Sequence, residues 1–340
     1  MNLTPDEEYA ALKARFDDCY DTTLKPILQK SESLRHKYML SFFVLLLLAA
    51  VFYPLIICHV WQSVWASQNA ADAGILLGLS GFVIMLLCGP IYLYKRQAKA
   101  QVMPEFANFF GDFSYAYEKT IDDEIMRQSH LFKRYDLHIG DDYFSGVYEN
   151  VHIVIAENKL SVIQKLDTAN GWSDARNQLG RTLGQNKQPQ TRSKTVFQGI
   201  CVLLEMNKNF AGQTVVLQDK GILNAFYHIK GLERVRLEDS KFEKIFEVFS
   251  SDQIEARYLL TTAFMERMLK LRDLYGGRVM QFSFKDNKLL IAIQTKQNMF
   301  EANSFWCTNL NKKKIDLVFN QFWTVFSIIK ILKLNLRLGM

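Results

Sequence analysis

No Cys-x-x-Cys pair and no even cysteine framework occur in this sequence. Its five cysteines, Cys19, Cys58, Cys88, Cys201 and Cys307, are scattered, and two of them lie in apolar stretches. That argues against both a disulfide scaffold and a structural zinc. GxxxxGK[ST], HExxH and GxSxG are missing too, as is GxGxxG after a strand. Nucleotide hydrolysis, dinucleotide binding and the common hydrolase mechanisms therefore lose their usual support. Charge of one sign is not in excess: Lys+Arg 41 against Asp+Glu 35 leaves a net +6, too mild to indicate nucleic acid. The sharpest absence is local, because neither Met39 to Val60 nor Gly74 to Tyr94 contains a charged side chain, and Cys58 to Ala73 contains no Lys or Arg.

These two runs organise the chain. Each is long enough at helical rise to cross the hydrocarbon core of a bilayer. The short connection makes them a hairpin whose ends emerge on one face. Lys30, Arg35 and Lys37 precede the first run and Lys95, Arg96 and Lys99 follow the second, which places both soluble ends in the cytoplasm. Met1 to Lys37 is acidic and helix-like, so the first run reads as a retained anchor and not a cleaved signal. Trp61 and Trp65 fit the outer interface, Tyr92 and Tyr94 the inner one. His59 lies near the interface and is read as an ordinary interfacial residue. Gly74, Gly78 and Gly81 would let the spans approach closely, and Pro54 and Pro90 would bend them.

Before the hairpin, Tyr9, Leu12, Phe16, Tyr20, Leu24 and Ile27 recur at helical spacing, with Pro26 expected to kink or end that helix. After it, Val102, Phe106, Phe109, Phe113, Tyr117, Ile121 and Ile125 repeat the pattern, with Pro104 suited to a first turn. The expected organisation is an amphipathic arm at 1–37, a transmembrane hairpin at 38–96, a stalk helix at 97–128 packed on the arm, and a cytoplasmic domain at 129–340. In that domain Tyr143 to Tyr148 and Val151 to Ala156 pair across Glu149-Asn150, and Arg278 to Phe284 and Lys288 to Ile293 pair across Asp286-Asn287. Val196 to Met206, Thr214 to Leu217 and a segment from Leu232 read as further strands. Asp252 with Glu255 opens a helix in a capping-box arrangement, and a second helix stops at Gly276-Gly277. Residues 170–194 read as a long mobile insertion, and its basic residues Arg176, Arg181, Lys187, Arg192 and Lys194 as a solvated loop. Lys312 to Arg337 closes the chain as a helix, read as a core element in preference to a membrane-surface one. The class is α+β.

Three blocks carry a resemblance: Ser129-His-Leu-Phe-Lys-Arg-Tyr-Asp136, Thr195-Val-Phe-Gln-Gly199 leading to Asn207-Lys-Asn-Phe-Ala-Gly212, and Phe249-Ser-Ser-Asp-Gln-Ile-Glu-Ala-Arg-Tyr-Leu-Leu-Thr261. With Phe300-Glu301 and the closing Leu332-Lys-Leu-Asn-Leu-Arg337, they resemble a bacterial two-span membrane family catalogued as domain of unknown function thirty-one thirty-seven. The resemblance runs from about Phe16 onward and departs from the family's pattern at Gln178 to Gln190. It supports the architecture and brings no activity with it.

The segment with the best supply of ligand groups is Tyr135 to Asp142, where Asp136, His138, Asp141 and Asp142 offer carboxylates and an imidazole. Turns use the same residue types to satisfy backbone donors, and no catalytic, cofactor or metal site is assigned from them. His152 on the facing strand could join such a site. Asp252, Glu255 and Arg257 are read as helix-start residues, and Cys201 falls in the most apolar strand, where a thiol is inert. The expected function is a membrane-tethered binding or regulatory module. It would act on the lipid surface or an unidentified protein partner, or assemble as a homo-oligomer, with no role for nucleic acid. The alternatives are a membrane-bound enzyme for a lipid or phosphorylated substrate and a subunit of an oligomeric transport assembly.

Overall fold

A computed structural model describes residues 5–67, 70–165, 191–206, 208–219, 229–295 and 297–334, with the backbone alone at 5–6, 59–67, 70–77 and 165. In chain order the elements are α1 (Pro5–Cys19), a π turn (Tyr20–Leu24), α2 (Lys25–Ser67), α3 (Ala70–Phe110), β1 (Phe113–Tyr117), α4 (Asp123–Gln128), β2 (Leu137–Tyr148), β3 (Val151–Lys165), β4 (Thr191–Glu205), β5 (Thr214–Gln218), β6 (Glu233–Val235), α5 (Ser240–Glu243), β7 (Phe246–Ser250), α6 (Gln253–Leu259), α7 (Thr262–Leu274), β8 (Met280–Lys285), β9 (Lys288–Gln294) and α8 (Lys312–Leu332). The fold is α+β, and its long apolar helices come first. Two compact units divide it: Met1–Tyr115 with Phe300–Thr324, and Ala116–Met299 with Val325–Met340.

In the first unit, α2 is 43 residues long and α3 is 41. Both are long and apolar enough to cross a membrane. Large apolar side chains stand bare along them: Leu40, Phe43, Leu47, Val51, Phe52 and Leu55 on α2, and Phe82, Ile84 and Met85 on α3. Pro26 does not end the arm. It lacks the N–H that an unbroken α-helix would send to the Thr22 carbonyl, and the chain takes one π turn there, with the Lys25 N–H donating to Tyr20 O. Pro54 and Pro90 lie inside their helices without ending them. Pro104 is not in a first turn, because α3 runs through it to Phe110. Gly78 and Gly81 do not mark a tight crossing, since a Cβ on either would meet nothing within 4 Å. Tyr53 and Ser80 instead share a 2.5 Å hydrogen bond between the two helices.

The arm packs on the end of α3 as its apolar stripe requires, and the start of α8 is a third partner. The Phe16 ring lies 5.7 Å from Phe106, 5.3 Å from Phe109 and 4.4 Å from Phe319. Phe322 is fully buried among Phe106, Phe110 and Phe300. α8 is itself long and apolar enough for a span, yet 56% of its most apolar window is buried inside the protein. The helical spacing read through Ile125 fails beyond Phe110: Gly111-Asp112 breaks the helix and the aromatic run after it forms β1.

In the second unit the strands run in the order β2-β3-β4-β9-β8-β5-β7-β6, and each of these neighbours pairs antiparallel. Both expected hairpins form, and each turn has two residues at positive φ, Glu149 and Asn150 in one and Asp286 and Asn287 in the other. One face packs a core that includes Tyr135, Val154, Ala156, Leu160, Cys201, Val215, Phe249 and Leu290. Part of the segment read as a mobile insertion is strand, because Thr191 to Lys194 continue β4 and pair with Lys165 to Val162. Arg176, Arg181 and Lys187 lie outside the described residues, as do the side chains of His59, Trp61 and Trp65 and the surroundings of Gly74.

Candidate functional site

The four residues that offered ligands do not converge. Asp136 accepts the Ile163 N–H at 2.9 Å and so joins the start of β2 to β3. Two residues on, His138 has other partners. Its Nδ1 lies 3.1 Å from Asp123 Oδ1 and its Nε2 2.8 Å from Asn158 Oδ1. Asp123 also accepts from Tyr135 at 2.7 Å and from Arg127 at 2.6 Å. Burial opposes the charge on Asp123, but hydrogen bonds from Tyr135, Arg127 and His138 hold its carboxyl below the ordinary carboxylate range. Burial, and then the bond to Asp123, push the Tyr135 hydroxyl up.

This line of acid, imidazole and amide ends without a nucleophile. Asn158 is buried and gives its Nδ2 to Ala156 O at 2.9 Å. The Cys201 thiol beside it is fully buried, and burial raises its pKa far above the range where a thiolate forms. The arrangement is a satisfied polar network that ties α4 to β2 and β3. His152 joins neither group; it is exposed, with its Nδ1 4.0 Å from Glu205 Oε1.

Asp141 and Asp142 meet Glu157 because β2 is irregular at that point. The register passes from Gly140↔Asn158 to Tyr143↔Ala156, so two residues oppose one. The bulge turns both aspartates toward Glu157, and ligand oxygens of all three lie within 4.8 Å of one another. Asp142 is 0% exposed and Glu157 4%. Gly140 permits the bend, since a Cβ there would stand 2.3 Å from Lys119 O. Oxygen donors of this kind suit a hard divalent cation, but protein groups already engage them. Met299 N–H lies 3.2 Å from both Glu157 oxygens, and Asn298 Nδ2 is 3.3 Å from Asp141 Oδ2. Sequence reasoning missed Asp123, Glu157 and Asn158. Glu157-Asn158 had a signal: they interrupt the apolar run Val151 to Ala156 within a strand that continues to Lys165.

Two of the resemblance blocks meet in space. Asp252 caps α6 through the Ile254 and Glu255 N–H groups. Glu255 does not close a capping box, because its carboxylate takes the N–H groups of Ala211 at 2.8 Å and Gly212 at 2.7 Å. Ser251 Oγ accepts the Gln213 N–H, and Asn287 Oδ1 accepts the Phe210 N–H. Arg257 faces the Gln253 and Arg236 carbonyls and, among the described residues, no carboxylate. The backbone from Ala211 to Gln213 is thus clamped by Ser251 and Glu255.

Residues 195–334 match the family model described as protein of unknown function (DUF3137). The matched segment is less than half of the chain. The match begins in β4 and ends just past α8, a shorter reach than the resemblance from Phe16, and it takes in neither long apolar helix. Both members of the clamp fall within the matched segment, as does Phe300-Glu301. No curated protein matches the chain. Among solved structures it is similar to the mycobacterial trehalose monomycolate transport factor A, TtfA, at 10% identity and a TM-score of 0.31, over 67% of this chain and 92% of that one. A likeness that slight carries no argument.

Proposed function

We propose that the chain is a two-span protein of the bacterial cytoplasmic membrane, with both termini in the cytoplasm. Its mixed domain would be a binding or regulatory module acting on a partner protein or the lipid surface. The observation that carries this reading is the row of bare apolar side chains on α2 and α3, where Leu40 and Leu47 are each about two-thirds exposed. Water would penalise such a surface by roughly 25 cal/mol per Å², whereas lipid tails do not. The enzyme alternative was to run through Asp136 to Asp142, and those residues divide between a backbone bond, a closed polar network and a bulge.

The test is extraction of membranes at alkaline pH together with labelling by an impermeant thiol reagent. In a background without native cysteines, a cysteine at Ser67 labels in intact cells and one at Ser33 labels only after lysis. Release of the protein at alkaline pH, or the reverse labelling, overturns the proposal. Mass spectrometry of the detergent-purified protein then identifies what it holds.

A further inference from the structure

The segment Ser304 to Leu310 joins no helix or strand, yet its backbone is pinned to α2 and the Asn309 side chain ties it to α3. Asn309, 0% exposed, is the centre of the attachment. Its N–H donates to Glu32 Oε2 at 3.0 Å, and its Nδ2 reaches Tyr94 OH at 2.5 Å and Ser31 Oγ at 3.3 Å. Its own Oδ1 accepts the Ser304 N–H at 3.0 Å, which closes the loop on itself. Arg35 adds a bond from Nη1 to Phe305 O at 3.3 Å, while Glu32 holds the same guanidinium at 2.6 Å. Tyr94 is therefore not the lipid-facing interface residue that its position suggested; it is buried.

This scaffold buries Phe305 and leaves its neighbour out. Phe305 packs on Tyr94 at 5.7 Å and Phe42 at 5.9 Å. Trp306 is 59% exposed, and its one described support besides Phe305 is the edge of Phe42, at 5.5 Å. Phe42 lies within the charge-free run of α2, three residues beyond Met39, or about 4.5 Å along the helix axis. That is just inside the headgroup boundary if the run from Met39 spans the hydrocarbon. Phe43 and Leu40, on the same turn of α2, are bare. Trp306 therefore extends the lipid-facing surface of the spans sideways at the level where tryptophan is most favourable. A flexible loop would lose conformational freedom on entering the interface, whereas this one is already ordered by the bonds to Asn309 and Arg35.

We infer that the loop Ser304 to Leu310 is a third membrane contact, an interfacial anchor that inserts Trp306 among the lipid headgroups beside the first span. The occupant is the bilayer itself, because the surface is continuous with the apolar belt of α2 and is offered at the end of a membrane run. The inference rests on the membrane reading of α2 and α3.

The test uses the full chain in vesicles of phosphatidylethanolamine and phosphatidylglycerol. With Trp61, Trp65, Trp172 and Trp323 replaced by Phe, Trp306 is quenched by lipids with brominated acyl chains and shielded from aqueous iodide. On a background with all five tryptophans replaced, Leu47→Trp gives the same result and Thr22→Trp the opposite. If Trp306 answers to iodide and not to bromolipid while Leu47→Trp is quenched by lipid, the anchor is refuted and the spans stand. If Leu47→Trp answers to iodide as well, the membrane reading itself fails. Hydroxyl-radical footprinting of the unaltered protein in the same vesicles needs no substitution. Trp306 resists oxidation there although Tyr258, 56% exposed, is modified; equal modification of the two overturns the inference.

Discussion

Glu255 holds Gly212 by the backbone: Oε2 accepts the Gly212 N–H at 2.7 Å, so close that a Cβ at residue 212 would stand 2.5 Å from that oxygen and 2.8 Å from Ser251 Oγ. Glycine is needed here for proximity, since the clamp closes over the space a side chain would fill. Gly212→Ala is expected to destabilise the protein by about 1–3 kcal/mol, as overpacking does. Glu255→Ala, which leaves two N–H groups without their acceptor, falls in a similar range of about 1–3 kcal/mol. Denaturant midpoints in detergent measure both, and the double variant should cost less than the sum because the sites are coupled.

Gly140 meets a harder obstacle. A Cβ there would be 2.3 Å from the Lys119 carbonyl oxygen, and a backbone atom cannot swing aside as the tip of Glu255 can. Gly140→Ala is therefore expected to lower the midpoint more than Gly212→Ala. A smaller effect would mean that the bulge relaxes without disturbing its neighbours.

Phe322 gives a measure of how far α8 belongs to the protein interior. Phe322→Ala should destabilise by roughly 3–5 kcal/mol, the range for removing a buried aromatic ring. The full chain must be used, because Phe106 and Phe110, two of the rings against it, precede the mixed domain. An unchanged midpoint would instead take the Phe322 ring out of the interior and make α8 a surface-lying helix.

Acid should loosen the attachment of the Ser304 to Leu310 loop. Burial raises the Glu32 pKa, but hydrogen bonds from Arg35 and the Asn309 N–H outweigh it and leave the value below the ordinary 4.5. A depressed carboxyl contributes stability that is present above its unfolded value and lost as the pH falls through the folded one. Melting temperature should therefore fall below about pH 4.5, and less steeply in Glu32→Gln. Parallel curves for the two proteins would remove Glu32 from the acid response.

Local chemistry was legible and distant geometry was not. Glu149-Asn150 and Asp286-Asn287 announce their turns because positive φ is a property of two adjacent residues. The charge-free runs announce α2 and α3 for a similar reason, since length and composition suffice. The end of α3 was misread because Phe106, Phe109 and Phe113 keep helical spacing by coincidence while Gly111-Asp112 breaks the helix between them. Asp141 and Asp142 stand among the four ligand candidates that the sequence offers, but Glu157 reaches them only through the β2–β3 register and its bulge. Glu255 looked like half of a capping box, and only the folded chain brings Ala211 and Gly212 to it.

The π turn at Tyr20–Leu24 corrects the phase of the arm. Phe16, Tyr20, Leu24 and Leu28 are all buried at intervals of four residues. In an unbroken α-helix each such step overshoots a full turn by about 40°, so the series would wind away from its partner by about 120° over three steps. One extra residue accommodated within the π turn takes out about 100° of that, leaving a misalignment of about 20°. Pro26 thus sets an angular offset that lets a strictly four-spaced stripe stay on one side of the helix. A single-residue deletion within Tyr20 to Leu24 that returned the backbone to regular α geometry would leave Phe16 and Leu28 facing the same way, whereas an insertion there would turn them apart.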